Sequence, residues 1–166
     1  MLRPACGPDR DLVLGWRNHP EVRAVSLTQH EISADEHARW WAAAQQDPER
    51  QVLIYERRNV PAGVVTFFDI DRAGGSAWWG YYLDNAGLSA RGELMPAWID
   101  IQRKAIRYAF DELAVRTLEG EVLAANDAVR RLNRRHGFTE VGASTRDIDG
   151  TPTEVIRVRL QAADVR

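Results

Sequence analysis

The stretch EVLAANDAVRRLNRRHGFTEVG, from Glu121 to Gly142, carries two kinds of secondary structure in close succession. Leu118–Leu123 is apolar at alternate positions and reads as a strand. Asn126 stands where a helix N-cap belongs, and its short side chain can accept from a first-turn amide. A short helix follows over Asp127–His136 and stops at Gly137, a residue suited to the left-handed position after a helix. Phe138–Gly142 starts a further strand. Asp149-Gly150 is a hairpin signal that returns the chain through a last strand, Glu154–Leu160.

Upstream of this stretch, Pro96 marks the start of a long helix to about Leu113, with Ile99, Ile106, Phe110 and Leu113 on one face. A polar loop, Asp84–Glu93, precedes it. Ala77–Leu83 is a strand paired through Gly74-Gly75 with Val64–Ile70, and QVLIYE (Gln51–Glu56) is a third, reached across the turn region RRNVPAG. Ser33 and Glu36 spell a capping box for a helix to about Gln46. Pro8 opens a helix through Leu12, Val13 and Trp16, Pro20 starts a short second turn, and Met1–Cys6 forms a first strand. The order β-α-α-β-β-β-α-β-α-β-β gives an α/β (α+β) class: one mixed central sheet of about six to seven strands with helices on both faces. A chain of 166 residues fits one domain, 1–166.

Composition narrows the function classes. A hydrophobic fraction of 45% and a charged fraction of 28% are globular values. No uncharged apolar run approaches the roughly 18–20 residues of a membrane span, and the N-terminus lacks a secretory core. Cys6 is the only cysteine, so no internal disulfide forms and a cytoplasmic location is expected; Cys6 itself reads as a small buried apolar residue. A net charge of -2 leaves no footprint for wrapping nucleic acid. Four histidines and one cysteine show no metal-ligand spacing, so no metal is expected. Lys104 is the only lysine, so anion contacts fall to arginine forks.

The element order, with GYYL before the loop and long helix and with EVLAANDAVRRLNRRHGFTEVG at its close, resembles the GNAT acyltransferase superfamily over nearly the whole chain. LVLGWRNHPEVR and EISADEHARWW narrow the resemblance to the N-acetyltransferases acting on 4-amino-4,6-dideoxy sugar nucleotides in the pseudaminic acid pathway. The Arg17-Asn18-His19-Pro20 stretch is also similar to N-terminal protein acetyltransferases of the Rim type.

The resemblance implies acetyl-CoA as co-substrate and a primary amine acceptor, most readily a nucleotide-linked amino sugar, acetylated directly in a ternary complex. The diphosphate would lie on the backbone of Arg91, Gly92 and the following helix start, and the thioester between splayed strands at Tyr82–Leu83 and Leu123–Ala125. Asn126 and Arg134 would hold the rest of the cofactor. Glu93 would repel a diphosphate unless it points away. Glu121 corresponds to a carboxylate that drains the ammonium proton through water; it also reads as a solvated strand carboxylate. Asn133 stands where related enzymes often have a tyrosine acid, and an amide cannot donate a proton to a thiolate but can hydrogen-bond it. Arg17, Asn18, His37, Trp40 and Trp78 would face the acceptor, with a structural salt bridge, a surface histidine or a core tryptophan as the plainer readings. Phe68 and Asp69 depart from the small polar and basic residues usual in that group. No nucleic acid or membrane partner is implied, and a homodimer is left open. The alternatives are a Rim-type peptide acetyltransferase and a degenerate, non-catalytic GNAT domain.

Overall fold

The computed structural model describes residues 1–165. The chain forms β1 (Leu2–Pro4), α1 (Asp9–Arg17), α2 (Pro20–Ala24), α3 (Ala34–Gln46), β2 (Gln51–Arg57), β3 (Val60–Asp71), β4 (Ser76–Leu83), α4 (Asn85–Ala90), α5 (Leu94–Asp111), β5 (Thr117–Leu123), α6 (Asp127–Arg135), β6 (Thr139–Ile148) and β7 (Thr151–Gln161). The strands make one mixed sheet of seven in the order β1-β2-β3-β4-β5-β7-β6, with β4 and β5 parallel and the other pairs antiparallel.

Strand alternation divides the core. Leu53 and Tyr55 of β2 point to the α5 side, where Ala97, Ile101, Ala105 and Ala109 let the helix lie close on Val65, Phe67 and Trp79. Val52 and Ile54 point the other way, into a smaller cluster with Val13 and Trp16 of α1 and Trp41 and Ala44 of α3. Helices therefore cover both faces.

Several boundaries differ from the sequence reading. The turn before β3 is only Arg58-Asn59, both at positive φ (52° and 63°), and Val60–Gly63 already pair in the sheet. The polar loop contains α4, because Asp84 caps it: Oδ1 accepts from Gly87 N at 2.9 Å. α5 starts at Leu94, which places Pro96 third in the helix, still within the first turn where no intrahelical donor is required. Its buried stripe runs through Ala97, Ile101 and Ala105 rather than Ile99. β6 runs on to Ile148, because its ladder with β7 continues to Ile148–Thr151 without apolar alternation. Cys6 is exposed: β1 ends at Pro4, and the backbone N–H of Cys6 donates to Asp9 Oδ2 at 2.8 Å as the chain turns into α1. Gly137 does close α6 at φ 97°, where a Cβ would stand 2.2 Å from the Asp164 carbonyl oxygen.

β4 and β5 pair only at Ser76–Thr117, Ala77–Leu118 and Trp78–Glu119, then part. The Trp79 indole lies against Gly120, whose missing Cβ would be 3.2 Å from Trp79 Nε1. It also stacks on Tyr81 at 5.3 Å and on Phe138 at 5.8 Å between centroids. A large ring on one strand opposite glycine on the other fills the opening angle on the α5 side.

Candidate active site

The opening between β4 and β5 leads into a cavity of about 1040 Å³. One half lies toward α5 and α6, lined by Tyr81, Leu83, Trp98, Asn126 and Asn133; the other lies toward α1–α3, lined by Arg17, Thr28, Trp40, Phe68 and Trp78. Glu121, Leu83 and Tyr82 join the two halves.

Glu121 is two residues beyond Glu119, the last paired rung, on the same strand face. Its Oε2 is 2.7 Å from Arg146 Nη1 of β6, an ion pair without hydrogen-bond alignment. Glu119 above it is held by Arg157 and Arg159 at 3.1 and 2.8 Å. Asn126 caps α6 by accepting from Val129 N at 3.3 Å while lining the cavity, so one side chain does both. Asn133 is buried, and its Oδ1 accepts from Gln102 Nε2 of α5.

On the other side, Arg17 donates from Nη2 to the Thr28 carbonyl at 2.6 Å, while Nη1 is buried with no partner among the described residues. Burial lowers its pKa, yet a guanidinium stays charged. Trp40 and Trp78 line the cavity. Trp78 stacks on Phe68 at 6.4 Å with Arg157 over its other face at 5.0 Å. Tyr82 packs toward α1, and burial raises its pKa.

The structure does not bring the remaining expected residues to the cavity. Asn18 clamps Ile32, donating to its carbonyl and accepting from its amide, both at 2.8 Å. His37 is 4% exposed, donates from Nε2 to the Arg10 carbonyl at 2.8 Å and stacks on Trp40 at 5.6 Å. Burial lowers its pKa, and it supports Trp40 from behind. Arg134 pairs with Glu140 at 3.2 Å. Arg91 and Gly92 stand just before α5, where Gly92 adopts φ 66°, but their amides donate to the Leu88 and Ser89 carbonyls at 3.2 and 3.0 Å as α4 closes, so the backbone seat expected at these two residues is already occupied. There Glu93 sits among Arg58 at 3.0 Å and Arg57 and Arg91 at 3.6 Å, so its charge is turned toward arginines. The first-turn amides of α5 have no side-chain cap. Among the described residues, no group of three or more His, Cys, Asp or Glu is placed to hold a metal ion, and no helix is long and apolar enough to cross a membrane.

Residues 1–139 match the family described as acetyltransferase (GNAT) domain. The chain belongs to the GNAT acetyltransferase family. It is 27% identical over 129 residues to the acetyltransferase PseH of Campylobacter jejuni strain 81-176, covering 78% of this chain and 76% of that protein. A PseH of a second C. jejuni strain is 27% identical over 128 residues, covering 77% and 75%. The spermidine N-acetyltransferase of Vibrio cholerae, solved with CoA and spermine, superposes with a TM-score of 0.80 over 99% of this chain and 96% of that one, at 17% identity. That likeness is one of fold.

Sequence reasoning missed three residues of this GNAT site. Arg146 lies in a segment whose strand character comes only from pairing with β7. Gln102 falls among apolar helix positions, and Tyr81 alternates with residues already assigned. A wall formed by Val25–Thr28 was also unforeseen. Leu27 packs against Leu123, Ile148 and Val155, and His30 fastens the segment: Nε2 meets Glu36 Oε1 at 3.0 Å and Nδ1 lies 3.4 Å from Asp149 Oδ1. The Glu36 hydrogen bond raises the His30 pKa. A raised folded-state pKa contributes stability that is complete below the unfolded value of about 6.5 and is lost as pH rises through the folded value. His30→Ala is therefore expected to lower Tm slightly at about pH 6, with the gap to wild type closing by about pH 9. A gap independent of pH would remove charge from the fastening.

Proposed function

We propose that this GNAT acetyltransferase moves an acetyl group from acetyl-CoA to the primary amine of a nucleotide-linked amino sugar, directly and in a ternary complex. The observation that carries the acceptor class is Arg17. A charged, half-buried guanidinium lining the cavity, with Nη1 left unpartnered, suits a phosphate oxygen, and Trp40, backed by His37, offers a flat apolar face for a ring, whereas Trp78 is already covered by Phe68 and Arg157. The PseH likeness and the amino-sugar resemblance of the N-terminal stretches support the same reading. The cavity lining is balanced in charge, with Arg17, Arg50 and Arg146 against Glu21, Asp69 and Glu121, so the choice of a sugar nucleotide over a polyamine rests on Arg17 and on the PseH likeness.

The donor side fits acetyl-CoA. The uncapped Leu94 and Met95 amides at the start of α5, with Arg57, Arg58 and Arg91 outnumbering Glu93, suit a diphosphate. Bound there, acetyl-CoA supplies an activated thioester. Beyond Trp78 the β5-facing edge of β4 has no strand partner, so an N–H near Leu83 is available for the developing oxyanion. Asn133 would hydrogen-bond the sulfur, and Glu121 would accept the amine proton through water.

The test is a panel of amines read as CoA release: a nucleotide-linked 4-amino-4,6-dideoxy sugar, spermidine and an N-terminal peptide. The sugar nucleotide is expected to win. Arg17→Ala should raise its KM roughly tenfold or more, given about 1.5–3 kcal/mol for a charged hydrogen bond, while the acetyl-CoA KM holds. Preference for spermidine or peptide would overturn the acceptor class, and equal loss of both KM values would make Arg17 structural.

A further inference from the structure

Asn133 and Gln102 form a buried amide pair on the donor side of the cavity, and only one of them faces it. A carboxamide has two ends of nearly equal shape and opposite hydrogen-bonding character. Toward a leaving thiolate, the N–H₂ end stabilises and the carbonyl end repels. Nothing in the shape of the site distinguishes them; something must fix the rotation of the Asn133 side chain.

Gln102 is fully buried on α5, between the helix positions that pack on the sheet. Its Nε2 donates to Asn133 Oδ1, which commits the carbonyl end of Asn133 and leaves Nδ2 as the end free for the cavity. The arrangement leaves Gln102 Oε1 buried without a partner, so a leucine would suit the core better than this amide. We propose that Gln102 is a positioning residue whose hydrogen bond aims the N–H₂ end of Asn133 at the sulfur of the acetyl donor. This rests on the reading above that the thioester lies in the β4–β5 opening beside Asn133.

The test uses CoA itself, so it does not depend on the acceptor. Binding of CoA is followed by thiolate absorbance across a pH titration in wild type, Gln102→Leu, Asn133→Ala and the double variant, each checked by Tm. Free thiols ionise at about pH 8.5. In wild type the bound thiol should ionise at lower pH. Asn133→Ala and Gln102→Leu should each move the midpoint back up by about one pH unit, a tenfold loss of thiolate at a given pH. The double variant should match Asn133→Ala alone, because Gln102 acts only through Asn133. Gln102→Leu removes one buried orphan, Gln102 Oε1, and creates another at Asn133 Oδ1, so Tm should stay near wild type and a lost shift is not unfolding. A Gln102→Leu titration equal to wild type, beside a shifted Asn133→Ala, overturns the positioning role alone. Additive shifts in the double variant do the same. A wild-type midpoint equal to that of free CoA removes the sulfur from Asn133 and takes the donor-site reading with it.

Discussion

Glu121→Gln is expected to lower kcat by roughly 10²–10⁴-fold, the usual contribution of a positioned base, with little change in either KM. The carboxylate stands just past the last β4–β5 rung, where the α5 and α1–α3 halves of the cavity meet. Glutamine keeps its size and removes only its capacity to take a proton. The Arg146 contact complicates the substitution, since the arginine loses its counter-charge. Arg146 is 44% exposed and can be solvated, so that loss is modest. Arg146→Ala provides the separation: it breaks the pair and keeps the base, and its kcat should stay well above that of Glu121→Gln. Single-turnover acetyl transfer across pH is the measurement. A Glu121→Gln enzyme with wild-type kcat near neutrality sinks the base assignment and leaves deprotonation to the amine itself.

The second large effect is structural. Trp79→Ala should destabilise the fold by about 3–5 kcal/mol, in the range for a large aromatic deleted from a core. The indole is 7% exposed, lies against Gly120 and stacks on both Tyr81 and Phe138. Its loss takes away contacts that join β4, β5 and the start of β6. Trp79→Phe restores part of the area and should recover part of the loss. Denaturant unfolding of the three proteins is the check; a change below about 1 kcal/mol for alanine would mean the strands are held apart by something else.

The order of elements was readable from the chain because its signals are local. Ser33 caps α3 by accepting from Glu36 N, although the Glu36 carboxylate goes to His30 rather than closing the expected capping box, and Gly137 ends α6. The family followed from that order and from GYYL and the Asn126–Gly137 segment. What the sequence left dark depends on partners distant along the chain. Ala143–Asp147 has no apolar alternation and is a strand only because β7 pairs with it, so Arg146 went unnoticed opposite Glu121. His37 and Trp40 are three residues apart on one helix, but the α1 backbone occupies the histidine, leaving the tryptophan alone to meet the cavity. Gln102 carries no signal of its own in the sequence; its meaning appears only beside Asn133.

The two faces of the sheet are unequal, and that inequality has an evolutionary reading. On the α5 side a broad cluster ties five central strands to one long helix. On the other, a smaller cluster holds α1 and α3, and the cavity wall there includes a guanidinium with an unsatisfied edge. Segments with less buried apolar contact open at lower free energy and tolerate remodelling at lower cost. Substitution on the α1–α3 half therefore costs the fold less than substitution on the α5 half. A lineage built on this scaffold can remodel one wall of the cavity while the opposite wall stays anchored.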